Sequence, residues 1–110
     1  MKAKFEEFND GIVDIYNENE EGRLEKAITG LRFGEENVGI KRHYMARAAE
    51  TRVDYVIHVP RQQGIKPHQV AVVKDNQYDI DKVDHYKDAL PPITKLSLIE
   101  FEEHRKKEFA

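Results

Sequence analysis

Residues 51–85, TRVDYVIHVPRQQGIKPHQVAVVKDNQYDIDKVDH, decide the fold. Within Thr51–Arg61, Val53, Tyr55, Ile57 and Val59 recur at every second position, with Arg52, Asp54 and His58 between them. Successive side chains of an extended chain point to opposite faces, so this spacing predicts a strand with one face in a core. Pro60 has no amide hydrogen to give a ladder, which confines the strand to a sheet edge or ends it there. Gln62–Pro67 supplies a turn, its backbone set by Gly64 and Pro67. His68–Lys74 is a short apolar strand with the content of a segment buried on both faces. Asp75-Asn76 reads as a hairpin turn, and Gln77–His85 as the returning strand with Tyr78 and Ile80 inward. Val83 falls out of phase by one residue, which predicts a bulge near Asp81 or Lys82.

Strand signals continue on both sides. Upstream, Gly11–Glu18 alternates through Val13 and Ile15, and Asn17–Gly22 is an acidic turn. Ala27-Ile28 and Leu31–Phe33 read as one broken strand, interrupted at Gly30 and closed by Gly34. Downstream, Pro91-Pro92 ends a loop and Ile93–Phe101 makes the last strand. Residues 102–110 read as a flexible charged tail, frayed or a short exposed helix. The stretch Val38–Glu50 differs: Ile40 and Tyr44, with Met45 and Ala48, fall at helical spacing among good helix formers. A short amphipathic helix is expected over Val38–Ala49, with Lys41, Arg42 and Arg47 off its apolar side; a continued strand through Ile40 is the alternative. The expected fold is mainly β: a small antiparallel β-barrel of about six strands with one short inserted helix, in a single domain spanning 1–110. Closure is favoured because an open sheet of this size would expose two edges.

Composition narrows the function classes. The 110 residues suit one modest core, and 35% of them are charged, which suits a small domain with a large surface. There is no cysteine, hence no disulfide framework, thiolate nucleophile or Cys-based zinc site. No apolar stretch reaches the roughly 20 residues that span a bilayer, and Met1–Asp10 lacks the apolar core of a signal peptide. Charge is unevenly placed along the chain. Residues 1–36 hold five Lys/Arg against ten Asp/Glu, residues 37–74 seven against two, and residues 75–110 six against nine. Folding can mix these blocks; kept apart, they give complementary faces suited to association with copies or with a partner.

The chemistry-bearing residues form no recognisable catalytic pattern. Gly30, Gly34 and Gly39 are wrongly spaced for a phosphate-binding loop. Ser97 sits between leucines on a strand and reads as a sheet or core hydroxyl. His43, His58, His68, His85 and His104 are scattered, each expected at a surface or sheet edge. Asp79, Asp81 and Asp84 with His85 could offer oxygen ligands, yet no glycine-containing ligand loop accompanies them, so no metal or cofactor is expected. A barrel with Tyr44, Tyr55 and a basic middle also suggests single-stranded nucleic-acid binding, in which aromatics stack bases. Against that, Tyr55 alternates with core residues and the net charge is −3.

From Leu31 to Phe101 the chain resembles the head-closure, or head–tail joining, proteins of long-tailed phages and of defective prophage elements. The resemblance rests on an ordered set: a helix with aromatic and basic residues at Arg42–Ala48, then Val59-Pro60-Arg61, then Gly64-Ile65-Lys66-Pro67. Val73, Tyr78, Ile80 and Val83 follow on a hairpin, and Pro91-Pro92 with Leu96-Ser97-Leu98 complete it. Gln63 stands where the family often has Pro, and the C-terminal extension has no counterpart in the pattern. The resemblance implies a non-enzymatic virion protein, made in the bacterial cytoplasm and placed at the head–tail junction. It would form a homo-oligomeric, dodecameric ring on the portal or adaptor ring, close the head and dock the tail, with double-stranded DNA passing through without sequence-specific contact. A charged, modestly apolar surface suits a monomer when free. The candidate interface residues are Lys41, Arg42, Tyr44, Arg47, Arg61 and Lys66.

Overall fold

The alternating apolar segments pair as strands. The computed structural model describes residues 5–36, 53–101 and 107–110. Its strands are β1 (Gly11–Glu18), β2 (Arg23–Glu36), β3 (Tyr55–Pro60), β4 (Val70–Val73), β5 (Asn76–Tyr86), β6 (Ile93–Glu100) and β7 (Glu108–Phe109). Their order is β1-β4-β5-β6-β3-β2-β7, and β1 also pairs with β2, so the hydrogen bonding of six strands closes into a ring. Every pairing within that ring is antiparallel. The described residues contain no helix. The helix expected over Val38–Ala49, with Lys41, Arg42, Tyr44 and Arg47, lies outside them.

All six ring strands contribute to one inner cluster. Val13 and Ile15 of β1, Phe33 of β2, Ile57 and Val59 of β3, Ala71 and Val73 of β4, Ile80 of β5, and Leu96 and Leu98 of β6 are buried there, joined by Ile65 from the β3–β4 connection. A smaller outer cluster gathers Tyr16, Leu24 and Val70 against Val72 and Phe101. Ser97 is buried on β6, in keeping with its reading as a sheet hydroxyl.

Irregularities bend the long strands. The β5–β6 register shifts between Ile80 and Lys82, leaving Asp81 as the extra residue where a bulge was expected. The β1–β2 register shifts twice, around Asp14 and between Ile15 and Tyr16. At the first shift Gly30 adopts φ +75°, and its N–H donates to Asp14 Oδ1 at 2.8 Å. Gly30 therefore marks a bulge within a continuous 14-residue strand, where the sequence reading expected a break. Gly34 does not close β2 either; it pairs with His58 of β3. The β4–β5 turn comprises Lys74 and Asp75, one residue earlier than expected, both in the left-handed region at φ 51° and 67°. That twist matches a two-residue hairpin.

The expected charged tail is tied down at its end. Glu108–Phe109 pairs in parallel with Arg23–Leu24. Gln77 Nε2 donates to the Lys107 carbonyl at 2.9 Å, and the Lys107 N–H donates back to Gln77 Oε1 at 2.7 Å. Phe109 sets its ring edge-on to Tyr16 at 5.1 Å, which gives the end of the chain an apolar anchor over the outer cluster.

Candidate functional site

Antiparallel pairing around the ring fixes which connections share an end. β1 and β3 finish, and β2, β4 and β6 begin, at the same end, where β5 also finishes. That end carries the β1–β2 turn, the β3–β4 loop and the β5–β6 loop. Of the six expected interface residues, the described ones, Arg61 and Lys66, both lie on its β3–β4 loop.

The loop is built rigidly. Arg61 follows Pro60, and its N–H donates to the Pro92 carbonyl at 3.1 Å. The Gln62 N–H donates to Thr94 Oγ1 at 3.0 Å. Ile65 is 3% exposed and seats the middle of the loop in the inner cluster. Gln69 accepts the Lys66 N–H through Oε1 at 2.8 Å and donates from Nε2 to Asn17 Oδ1 at 2.7 Å. The His68 N–H donates to the Ile80 carbonyl at 2.8 Å. Arg61 is half-buried, and its Nε is buried without a hydrogen-bond partner among the described residues. Lys66 is exposed. Neither has a carboxylate partner among the described residues. The same end exposes apolar Phe5, Tyr86 and Leu90, with Phe5 bridged to Leu90. Beside them Tyr86, Lys87, Asp88 and Lys95 line an open depression of about 540 Å³.

A second cluster forms where residues 5–10 cross the outside of β2 and β3. The Glu6 N–H donates to the Leu90 carbonyl, and the Asp10 N–H to the Phe33 carbonyl. Between these points the segment covers His58. This histidine is 6% exposed, against the expected surface or edge position. Its Nε2 lies 2.7 Å from the Glu7 carbonyl, its Nδ1 lies 3.0 Å from Glu36 Oε1, and Phe8 packs edge-on against its ring. A carbonyl can only accept, which places a hydrogen on Nε2. Glu6 Oε2 is 3.6 Å from Nε2, and Lys95 Nζ is 3.5 Å from Glu36 Oε1. Glu6, Glu36 and His58 are close enough to share a metal ion. However, Nε2 is engaged with the carbonyl and Lys95 already supplies a cation. The chemistry is that of a hydrogen-bonded latch holding residues 5–10. Nothing in the period-two pattern marks this contact, because His58 and Glu7 are 51 positions apart.

The other candidate residues are separated. His68 lies 3.9 Å from Asp79, Lys82 3.8 Å from Asp84, and His85 Nδ1 2.8 Å from Thr94 Oγ1. Burial raises the Asp79 carboxyl above its ordinary range, Asp81 and Glu18 add to that, and His68 opposes it. Tyr55 packs between Phe33 and Tyr78, with ring centroids 6.3 and 5.7 Å away, and its hydroxyl donates to Glu35. Burial, then the Glu35 hydrogen bond, pushes its phenol well above the ordinary range. No helix among the described residues is long and apolar enough to cross a membrane.

No protein-family model matches the chain, and no curated protein matches it in sequence.

Proposed function

We propose that this protein is a structural component of a phage or phage-like particle. It assembles as a homo-oligomeric ring on the capsid portal or adaptor ring, closes the head and presents the docking surface for the tail. On this reading the six-strand ring of hydrogen bonds is a small β-barrel acting as a rigid scaffold, and the protein works by binding at the head–tail junction. Support comes from the ordered motifs between Leu31 and Phe101 and from one structural observation. A single end of the ring gathers three connections, Arg61 and Lys66 without a carboxylate partner among the described residues, and exposed Phe5, Tyr86 and Leu90. Protein surfaces that combine apolar patches with convergent charge are docking surfaces.

The test is co-sedimentation of purified protein with isolated portal rings, followed by addition of tails. Saturable binding to portal rings supports the reading. Failure to bind portal or tail components, together with a shift of single-stranded DNA at physiological salt, would replace it with nucleic-acid binding.

A further inference from the structure

The β1–β2 turn and the β3–β4 loop carry opposite charges with no ion-pair partner among the described residues. The turn is rigid: Asn19 Oδ1 accepts the N–H groups of Glu21 and Arg23 at 3.0 and 2.9 Å, and Gly22 adopts φ +79°. This fold of the turn leaves Glu20 and Glu21 exposed, without a cationic partner among the described residues. On the loop, Ile65 and the hydrogen bonds of Lys66 and Gln69 hold Arg61 and Lys66 in place, equally without a carboxylate. Arg61 Nε is buried without an acceptor among the described residues.

Both features lie at the same end of the strand ring. Copies in a cyclic assembly share one orientation, so side-by-side neighbours meet through features at matching height. We infer that the Glu20–Glu21 turn of one copy seats on the Arg61–Lys66 loop of the next copy. The contact is heterologous, so it repeats from copy to copy, and the partner it selects is a second molecule of this chain. The inference rests on the ring-assembly reading above and supplies the contact that reading lacks.

Equal amounts of unlabelled and nitrogen-15-labelled protein, concentrated at low salt, are treated with a carbodiimide that joins carboxylates to amines without a spacer. The expected product links Glu20 or Glu21 to Lys66 with one light and one heavy peptide. Links confined to a single copy, or the absence of this pair, overturn the inference. Charge reversal gives the second arm. The variants E20K/E21K and R61E/K66E should each lose self-association in sedimentation velocity, and their mixture should regain it. With both variants folded by circular dichroism, a mixture that stays monomeric overturns the contact. Portal binding separates the two claims. E20K/E21K protein that still decorates portal rings at wild-type stoichiometry refutes the contact and leaves the ring reading intact. Wild-type protein that self-associates through this pair yet ignores portal rings refutes the ring reading and leaves the contact.

Discussion

At the residue scale, two glycines of β2 are required for different reasons. Gly34 has ordinary strand geometry, yet a Cβ there would collide with the Glu7 backbone carbonyl and the His58 ring. Gly30 faces open space, and its φ of +75° is what disfavours a side chain. G34A should therefore destabilise the fold by about 3 kcal/mol and release the 5–10 segment, since a backbone carbonyl in a packed contact cannot yield cheaply. G30A should lose only about 1 kcal/mol, the left-handed penalty. Urea midpoints rank the two, and cleavage by a glutamate-specific protease at Glu6 and Glu7 reports the released segment in G34A alone.

The tyrosines carry the second residue-scale prediction. Burial raises the phenols of Tyr16, Tyr55 and Tyr78, with carboxylates adding to each shift: Asp14 for Tyr16, Glu35 for Tyr55, and Glu100 and Asp54 for Tyr78. A group raised in the folded state contributes stability that is fully present below its unfolded value, near 10 for tyrosine. That contribution is lost as pH rises through the folded value, because the unfolded chain gives up its proton first. Stability should fall from about pH 10 upward. The 295 nm absorbance of the native protein should lag that of the urea-unfolded chain over the same interval; superimposable titrations would contradict the assignment.

At the element scale, the β4–β5 turn is suboptimal. Lys74 and Asp75 both adopt positive φ, a conformation that asparagine and glycine reach with little penalty. K74N/D75G should stabilise the protein by about 1 kcal/mol. The Lys74–Glu35 ion pair lost in the exchange is 3.9 Å long between side chains 66% and 46% exposed, so its loss is minor. A thermal melt of the double variant checks the sign. The elements also show what the sequence discloses. The period-two run in β3, the two-face burial of β4 and the phase break at Asp81 were legible because each is local along the chain. The continuity of β2 was not: glycine signals a break or a bulge alike, and only Asp14 across the ladder decides at Gly30. The burial of His58 and the docking of Phe109 come from partners 51 and 93 positions away, for Glu7 and Tyr16 respectively, and no periodicity reports such pairings. At the candidate site, Arg61 and Lys66 were legible as basic residues in a turn. Their lack of a carboxylate partner among the described residues was not.

At the scale of the whole molecule, one inner cluster joins all six ring strands, and its closure passes through a loop residue. Ile65 is 3% exposed, while its neighbour Lys66 projects into solvent. I65A should therefore behave as a core truncation and destabilise by about 3 kcal/mol, the range for isoleucine to alanine in a packed interior. K66A should change stability by less than about 0.5 kcal/mol, as surface substitutions do. Because the cluster is continuous, the loss should appear globally, with no separate loop transition. Far-ultraviolet circular dichroism and tyrosine fluorescence should report one coincident urea transition for I65A, shifted to lower denaturant with an unchanged slope. An early transition seen by one probe alone would mean that the loop opens by itself. The β3–β4 loop would then be a hinged cover, and Arg61 and Lys66 would no longer stand on the same rigid body as the strands that position the acidic turn.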